Sequence, residues 1–245
     1  MTDRAPRFAD ADPYGSYRHM AATAVGPRAT AAARLFARAY LVPALHPFRG
    51  RPILELGAGD GATAEALGTL GFRSVEASDS SEYQVERARS RGVAVRKEDG
   101  AAALARMTPG SLGAVLALDV LEHLDDEALA AWLKRAREAL APDGVFVARV
   151  PNGESPFAGS IRYGDLTHRR AFTASSLRQA FGSAGFGRLR FVPCRPIVHG
   201  LPSTLRAALW RVVEAAIRIA EFAETGRLRG GCFTRNIMIV AEKGP

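Results

Sequence analysis

Acidic residues stand at the ends of four short apolar segments of the chain. Asp60 follows the first segment, which itself contains Glu55, and Asp79, Asp99 and Asp119 follow the next three. A carboxylate has two oxygens rich in lone pairs, so it can accept hydrogen bonds from both hydroxyls of a ribose. Each acid by itself is explained equally well as a helix N-cap. Together, at the carboxyl ends of neighbouring strands, they predict a site for a nucleoside.

A glycine-rich turn after the first apolar segment indicates where such a ligand meets the backbone. The segment ILELGAGDGATAEAL (53–67) reads as a buried strand, a turn and a helix. The turn consists of Gly57, Ala58, Gly59, Asp60 and Gly61. Glycines adopt positive φ readily and carry no side chain, so this turn leaves room for a ligand. The helix that begins near Asp60 would direct its free N–H groups into the same space.

Two histidines are the candidates for proton transfer. His123 follows the fourth predicted strand, and His168 lies in the segment RYGDLTHRRAFT (162–173). Histidine is the usual base at neutral pH where a hydroxyl must lose its proton. The second segment also supplies an acid, an aromatic ring and a cation, which suit a polyhydroxylated substrate. These are Asp165, Tyr163 and Arg169. We therefore expect His168, oriented by Asp165, and His123 to be catalytic.

Structural explanations stay open for both histidines. His123 can make a structural hydrogen bond beside the ligand, and the loop around His168 can be a turn that caps the next helix. The other histidines lie in segments with no predicted relation to the ligand, where solvated or packing roles are expected. These are His19, His46 and His199.

Strand and helix patterns alternate along the chain and predict a mostly parallel sheet with right-handed crossovers. The predicted strands are 53–56, 74–77, 93–95, 112–118, 145–150, 186–192 and 233–240. The main predicted helices are 27–40, 60–70, 81–91, 125–140, 173–184 and 201–223. Pro43, Pro47 and Pro52 are expected to break the first helix. Residues 151–171 lose periodicity and predict a long loop, and such loops tend to be functional.

The glycine turn, the acids and the run LALDVLEHL (116–124) together resemble the class I S-adenosylmethionine (SAM)-dependent methyltransferases. The resemblance is close over about residues 50–150. It implies an α/β fold with a doubly wound, seven-stranded, mostly parallel, Rossmann-like sheet whose last strand is antiparallel. An N-terminal helical segment and a long helix before the final strand complete that expectation, and SAM is the implied cofactor.

The resemblance also implies which residues contact SAM. Asp79 would bind the ribose, Asp99 would hold the adenine amino group, and Glu55 or Asp60 would meet the methionine ammonium. The full set of implied contacts is Glu55, Gly57, Ala58, Gly59, Asp60, Gly61, Asp79, Ser80, Asp99, Gly100, Asp119 and Val120.

Two further segments, 151–186 and FTRNIMIVAEK (233–243), resemble a narrower branch of these enzymes associated with bacterial glycan and sugar modification. This resemblance implies O-methylation of a sugar, a glycan or a sugar-containing natural product. Methylation of a small-molecule amine or carboxylate is the alternative among enzymes, and a SAM-binding regulatory subunit is the alternative outside them. A nicotinamide-dependent dehydrogenase would share the sheet, but the G-x-G-x-G spacing argues against it.

No residue spacing requires a metal, and none is expected. Ligands for a divalent ion are nevertheless available in Asp119, Glu122, Asp165 and His168.

The length of 245 residues suits one decorated α/β domain. We expect a helical cap or leader over residues 1–48 and the methyltransferase domain over 49–245, with an acceptor loop at 151–171 and an amphipathic helix at 201–224. Tyr14 and Tyr17 in the leader could fold over the pocket and bind substrate, unless the leader is disordered.

Composition limits the partners. The net charge of +8 permits an anionic partner, but no separate basic target-reading domain is recognisable, so nucleic acid is not expected. Two isolated cysteines and the lack of an apolar leader predict a cytoplasmic protein. The helix at 201–224 could contact a membrane, cover the site or pair with a second copy in a homodimer. Ordinary packing of its apolar side is the expectation.

Overall fold

The computed structural model describes residues 27–226 and 231–244, which form a seven-stranded sheet covered by helices. The strands are β1 Ile53–Leu56, β2 Val75–Asp79, β3 Arg96–Lys97, β4 Leu112–Leu118, β5 Leu140–Pro151, β6 Leu189–Pro193 and β7 Asn236–Glu242. The helices are α1 Pro27–Phe36, α2 Ala62–Thr69, α3 Glu82–Ser90, α4 Gly100–Ala105, α5 Asp126–Ala139, α6 Ala158–Arg162, α7 Ala174–Ser183 and α8 Leu201–Thr225.

The strand order is β3-β2-β1-β4-β5-β7-β6, and β7 runs antiparallel to both of its neighbours. The remaining pairs are parallel. The predicted doubly wound, seven-stranded sheet with an antiparallel last strand is therefore confirmed. Strand order reverses between β1 and β4, and in such sheets ligands bind outside the carboxyl ends of the strands at this point.

Each face of the sheet has its own hydrophobic cluster, because successive side chains on a strand point to opposite faces. Leu54 and Leu56 of β1 belong to the cluster under α4, α5 and α7, whereas Ile53 belongs to the cluster under α1 and α2. All four residues of β1 are buried, as the apolar run predicts for a central parallel strand. The one acid among them, Glu55, therefore calls for a chemical explanation.

Residues 27–48 form a nearly continuous helical segment, so the expectation that prolines break the first helix is wrong. After α1 the chain continues through a π-helical turn at Ala37–Leu41 and two further short turns. Pro43 and Pro47 occupy the first positions of those turns, where the N–H that proline lacks has no intrahelical partner to lose. The segment buries Leu41 and Leu45 in the cluster under α1 and α2. The proposed domain boundary after residue 48 stays a prediction.

Five strands differ from their predicted bounds, and for β2 and β7 the difference is one to three residues at each end. The strand predicted at 93–95 is β3 at 96–97, an exposed edge pair with β2, while Val95 is buried in a small cluster beside α3. β5 begins five residues earlier than predicted, since Leu140 pairs with Leu112 before a register shift. β6 begins and ends later than predicted. Edge strands and bulges depend on the neighbouring strand, which local hydrophobic patterns do not encode.

The segment predicted as a long loop, 151–171, contains the short helix α6, which corrects that expectation. The Ser155 hydroxyl accepts a hydrogen bond from the Phe157 N–H at 3.2 Å and forms the turn from which α6 starts. The start of the segment is held by the buried Asn152, whose amide donates to the Thr234 carbonyl at 2.8 Å and to the Cys232 carbonyl. The acceptor loop is therefore tied to the strand β7 region.

Helix α8 turns its apolar side away from the protein, so the expected packing of that side is wrong. Leu205 and Val212 are 63% and 68% exposed. Glu214 is instead buried, and it accepts hydrogen bonds from Arg195 Nε at 3.0 Å and from Trp210 Nε1 at 3.1 Å. This buried polar contact determines which side of α8 faces inward. Contact of 201–224 with a membrane surface or a second copy stays a prediction.

Over the described ranges, none of the helices combines the length and the apolar character that crossing a membrane would need.

Candidate functional site

Two adjoining clefts open where β1, β2 and β4 end. One has a volume of about 300 Å³ and extends past β2 to Trp132 of α5. The other has a volume of about 310 Å³ and extends over β1 to Arg149 of β5. They share Gly57, Gly59 and Gln84, so the glycine turn forms the boundary between them. An elongated ligand can lie across the turn with one end in each cleft.

The glycine turn is built for close approach of a ligand to the backbone. Gly57 and Gly59 have φ of 65° and 57°, values that side-chain-bearing residues rarely adopt. A Cβ on Gly57 would lie 2.4 Å from the Val120 side chain, whereas a Cβ on Gly59 would meet no atom within 4 Å. Gly57 is thus required by packing after β4, and the space at Gly59 remains open to the cleft.

Asp79 is fixed at the end of β2 by two backbone hydrogen bonds. Its Oδ2 accepts from the Gly59 N–H and its Oδ1 from the Ser81 N–H, both at 2.8 Å. Burial raises the pKa of Asp79, and these two hydrogen bonds oppose the rise by stabilising the carboxylate. The Asp79 carboxylate therefore lines the first cleft in a set orientation, with lone pairs remaining for a ligand.

Asp99 combines the two roles that its position suggests. Its carboxylate caps α4, accepting from the Ala102 N–H at 2.8 Å, and it lines the first cleft. The residue after it, Gly100, lies against the Trp132 ring, where a Cβ would come within 2.0 Å of a ring carbon. The Trp132 indole forms part of the cleft wall at this point, and an aromatic ring is a group on which a flat heterocycle can stack.

Glu55 is the better of the two candidates for an ammonium group. Its Oε2 is buried and has no hydrogen-bond partner among the described residues. Complete burial raises the pKa of Glu55 to about 8. Asp60 is already paired, with its Oδ2 2.8 Å from Arg91 Nη1 and 3.3 Å from Arg87 Nη2. An incoming cation in the second cleft would therefore find Glu55 Oε2, an oxygen that no described residue hydrogen-bonds.

Glu55→Gln is expected to stabilise the ligand-free protein at neutral and mildly alkaline pH. Glu55 ionises near pH 4.5 when unfolded but keeps its proton to about pH 8 when folded. The free energy of unfolding therefore falls by about 1.4 kcal/mol per pH unit between these values on account of this group. The free energy of unfolding, measured with urea between about pH 5 and pH 7.5, should fall less steeply with pH in Glu55→Gln than in the parent protein.

Glu76→Gln is the matched control, because Glu76 lies on β2 but is exposed. Its pH dependence should follow that of the parent protein. An unchanged slope in Glu55→Gln would show that the folded protein holds Glu55 ionised.

Asp119 ends β4 in a conformation that few side chains tolerate. It has φ 57°, and within 27–226 and 231–244 it alone combines positive φ with a side chain. Arg149 of β5 pairs with both Asp119 oxygens, one of them at 2.9 Å, and its guanidinium lies 4.5 Å from the Phe36 ring centroid. Strain of this kind persists where surrounding contacts impose it, often at functional sites.

His123 and His168 come together beside the end of β4. Their ring centroids are 4.8 Å apart. His123 Nδ1 lies 2.9 Å from the Thr167 hydroxyl, which donates to Asp165 Oδ1 at 2.6 Å. His168 Nδ1 lies 2.9 Å from the Ile161 carbonyl. The predicted acceptor loop thus brings its histidine and acid to the histidine after β4.

These hydrogen bonds set the tautomers of both rings. A carbonyl only accepts, so Nδ1 of His168 carries a proton, and in the neutral ring the lone pair is therefore on Nε2. The Thr167 proton is used on Asp165, so His123 donates from Nδ1 and also has its lone pair on Nε2. Burial lowers the pKa of His123, and His168 beside it lowers it further. His123 is therefore neutral near pH 7.

Residues 27–188 match the family described as a methyltransferase domain. The chain belongs to this methyltransferase family. A Mycolicibacterium smegmatis protein named a probable S-adenosylmethionine-dependent methyltransferase is 30% identical over 141 residues, covering 58% of this chain and 54% of that protein. A ubiquinone biosynthesis O-methyltransferase of Azorhizobium caulinodans is 31% identical over 157 residues, covering 58% of this chain and 61% of that protein. The chain thus matches these relatives over less than two thirds of their length.

Solved methyltransferase structures share the fold. A SAM-dependent methyltransferase from Archaeoglobus fulgidus superposes with a TM-score of 0.67 at 20% identity, over 94% of this chain and 100% of that one. Phosphoethanolamine N-methyltransferase 2 from Haemonchus contortus, solved with SAM, superposes with a TM-score of 0.55 at 16% identity, over 80% of this chain and 49% of that one. At these identities the similarity concerns the fold alone.

The cofactor of the methyltransferase is SAM. The clefts fit it on two observations. The orphaned, buried Oε2 of Glu55 is a partner for the methionine ammonium, and the open space at Gly59 admits a ligand against the backbone. Of the predicted contacts, all except Gly61 line the clefts. Gly61 packs against Val93 instead, where a Cβ would lie within 2.5 Å. The individual contacts to SAM stay predictions.

Sequence reasoning missed several residues that line the clefts of the methyltransferase, among them Gln84, Trp132 and Arg149. Trp132 occupies a position that the pattern of an amphipathic helix assigns to the core, so the sequence did not indicate that it lines a cleft. Arg149 did carry a signal, since a charge inside the apolar run VFVARV is costly unless paired.

The predicted substrate-binding residues do not lie together at one site, as the predicted cofactor-binding residues do. Tyr14 and Tyr17 lie outside the described residues. Tyr163 is 75% exposed, and Arg169 is exposed while its N–H donates to the Glu122 carbonyl at 2.8 Å. The structure therefore ties the Arg169 backbone to the turn after β4 and leaves both side chains at the surface. Their role toward the acceptor stays a prediction.

Proposed function

We propose that the protein is a SAM-dependent methyltransferase that transfers a methyl group to a hydroxyl of a sugar, a glycan or a sugar-containing natural product. The observation that carries the hydroxyl assignment is the pair of adjacent imidazoles, His123 and His168, the first of which lines the cofactor cleft. A neutral amine needs less help from a base, whereas a hydroxyl must lose its proton. The relative named as a ubiquinone biosynthesis O-methyltransferase supports a small-molecule hydroxyl as acceptor.

When bound, SAM supplies a methyl group on a positively charged sulfur, so transfer is an in-line displacement. The residues of this chain hold the acceptor oxygen in line and take its proton. We assign proton acceptance to the Nε2 atoms of His123 and His168, since both carry lone pairs. Asp165 acts as a positioning residue, because Thr167 transmits its hydrogen bond to His123. The new C–O bond forms as the C–S bond breaks, and the sulfur leaves as a neutral thioether.

A saccharide acceptor is supported by the polar chemistry around the histidines. Asp165 and Thr167 lie within the same network, and Tyr163 and Arg169 are exposed residues of the same segment. Carboxylates, hydroxyls and a guanidinium bind the hydroxyls of a sugar, and an aromatic ring can stack on its apolar face.

Incubation with methyl-labelled SAM and a panel of saccharides tests the proposed function. Label should enter unmodified saccharides and be stable to base, as an ether is and a methyl ester is not. Matched saccharides with every hydroxyl already methylated should remain unlabelled. Transfer only to amines, or a base-labile product, would contradict a hydroxyl acceptor. SAM binding with no transfer to any acceptor class would favour the regulatory-subunit alternative.

A further inference from the structure

Helix α8 places its polar side against the protein and its apolar side outward, the reverse of an ordinary surface helix. The inward side contains Ser203, Trp210, Glu214 and Ile217, each of which is buried or half-buried. The Glu214 carboxylate accepts hydrogen bonds from Trp210 Nε1 and from Arg195 Nε. Because these polar contacts fix the orientation of α8, the apolar residues of its other side remain exposed.

The outward side of α8 carries an apolar stripe with the spacing of a seam between two helices. We define the outer stripe as six exposed residues that are alternately four and three positions apart: Leu205, Leu209, Val212, Ala216, Ile219 and Ala223. This pattern repeats every seven residues, which keeps one seam facing a second helix along its length. The two alanines allow a second helix to approach closely, because the distance between helix axes depends on the side chains at the contact.

The exposed apolar area of α8 is larger than an isolated copy of the protein would ordinarily present. Seven large apolar residues of the helix are exposed, from 40% at Val213 to 87% at Leu201. Together they expose on the order of 800 Å², whereas the largest apolar patch on a typical monomer is about 300–600 Å². Each partner in a standard protein interface contributes about 800 Å². The surface of α8 therefore has the area that one stable interface needs.

Two opposite charges flank the outer stripe at its two ends. Arg206 lies near the start of α8 and Glu224 near its end, and both are exposed. Their separation of 18 residues corresponds to five turns at about 3.6 residues per turn, so they lie along the same flank of the helix. In an antiparallel pair of α8 helices centred near Glu214, Arg206 of each copy lies opposite Glu224 of the other.

The same charges fit a membrane surface less well. A helix that lies on an anionic membrane has an apolar side in the lipid and a polar side rich in Lys and Arg. The polar side of α8 instead faces the protein and contains Glu214, and the exposed Glu224 would be repelled by anionic headgroups. The charge distribution therefore favours a second copy of this chain over a membrane.

We propose that α8 forms a two-fold symmetric dimer interface, in which the outer stripes of two copies pack antiparallel. Ala216 then lies opposite Val212 and Ala223 opposite Leu205, so that small and large side chains alternate across the seam. In a two-fold interface the same patch serves both partners, so the contact of Arg206 with Glu224 forms twice. Burial of the stripe stabilises the dimer, and the two ion pairs set the direction of the helices, since exposed ion pairs contribute little energy.

The interface lies beside the acceptor loop and apart from the cofactor clefts. The Trp210 ring on α8 has its centroid 6.4 Å from that of Phe157, the residue at which α6 begins. Among the described residues that line the two clefts, none belongs to α8. Dissociation of the dimer is therefore expected to leave SAM affinity unchanged, so SAM binding reports whether a variant is folded.

Sedimentation velocity of the untagged full-length protein tests the interface without turnover. At micromolar concentration the parent protein should sediment as a dimer and Val212→Glu as a monomer. Val212 is exposed in the single copy, whereas the new carboxylate would be buried and unpaired in the dimer, so the dissociation constant should rise by at least about 100-fold. Ala131→Glu is the matched control, because it adds the same charge at an exposed position of α5. Titration with SAM checks that both variants are folded.

Charge reversal tests the antiparallel direction. Arg206→Glu and Glu224→Arg should each weaken the dimer several-fold, because like charges then meet at both ends of the stripe. The double variant Arg206→Glu/Glu224→Arg should recover the dissociation constant of the parent protein. Single variants that dimerise as the parent does would overturn the antiparallel arrangement, since in a parallel pair each of these residues faces its own counterpart.

Two results would overturn the interface as a whole. The first is a parent protein that stays monomeric at micromolar concentration, and the second is a dimer that Val212→Glu leaves intact. If a monomeric parent protein floats with phosphatidylglycerol vesicles and Val212→Glu does not, the outer stripe binds a membrane surface instead. These measurements use no acceptor, so their outcome is independent of the proposed function.

Discussion

Asp79→Ala is expected to weaken SAM binding by at least about 100-fold. The carboxylate is already held at the end of β2 by the Gly59 and Ser81 N–H groups. Asp79 therefore loses no further side-chain freedom when its remaining lone pairs bind the ribose. Hydrogen bonds to a charged group contribute about 1.5–3 kcal/mol each, and two of them to a ribose amount to about 3 kcal/mol or more. About 1.4 kcal/mol is a factor of ten in the dissociation constant. Isothermal titration with SAM measures the change directly.

Two variants make the Asp79 measurement specific. Asp79→Asn keeps one acceptor oxygen and should fall between alanine and the parent protein. Asp143→Ala removes an exposed acid paired with Arg51 and should bind SAM as the parent does. Thermal unfolding of all three checks that the glycine turn survives. Parent-like SAM affinity in a folded Asp79→Ala would mean that the nucleoside does not lie at the end of β2.

The cofactor half of the site could be predicted from sequence because its signals are local. The buried strand β1, the glycine turn and the acids after consecutive strands all lie within short windows, and parallel topology brings strand ends to one edge of the sheet. Sequence could not choose between Glu55 and Asp60 for the ammonium. That choice depends on Arg87 and Arg91 of the next helical region, which neutralise Asp60 from across the turn.

The differences arise where tertiary contacts outweigh local pattern. The apolar side of α8 is exposed because Arg195 binds Glu214 and so orients the helix, a contact between residues 19 apart in sequence. Pro43 does not end the first helical segment, because a new turn begins at Val42 and takes Pro43 as its second residue. The histidine pair was anticipated only as two separate candidates. The two histidines are close because the acceptor loop folds back toward the turn after β4. The Arg169 N–H holds the loop there by donating a hydrogen bond to the Glu122 carbonyl.

His123→Ala and His168→Ala are each expected to lower turnover by about 10²- to 10⁴-fold, the usual contribution of a positioned acid–base group. SAM affinity should change little, since the adenosine and ammonium contacts lie at Asp79, Asp99 and Glu55. Single-turnover rates at saturating SAM separate the chemical step from binding. His199→Ala is the matched control, because His199 is exposed just before α8. Near-parent turnover in His168→Ala would remove His168 from the reaction.

The double variant His123→Ala/His168→Ala distinguishes a shared role from two separate ones. Groups that act as a unit show strongly non-additive losses, because removing the first already disables the second. The ring centroids are 4.8 Å apart, so the two rings can act as one proton-accepting unit that requires both. We therefore expect the double variant to be about as slow as the slower single variant. Losses that multiply would assign the two histidines to independent steps.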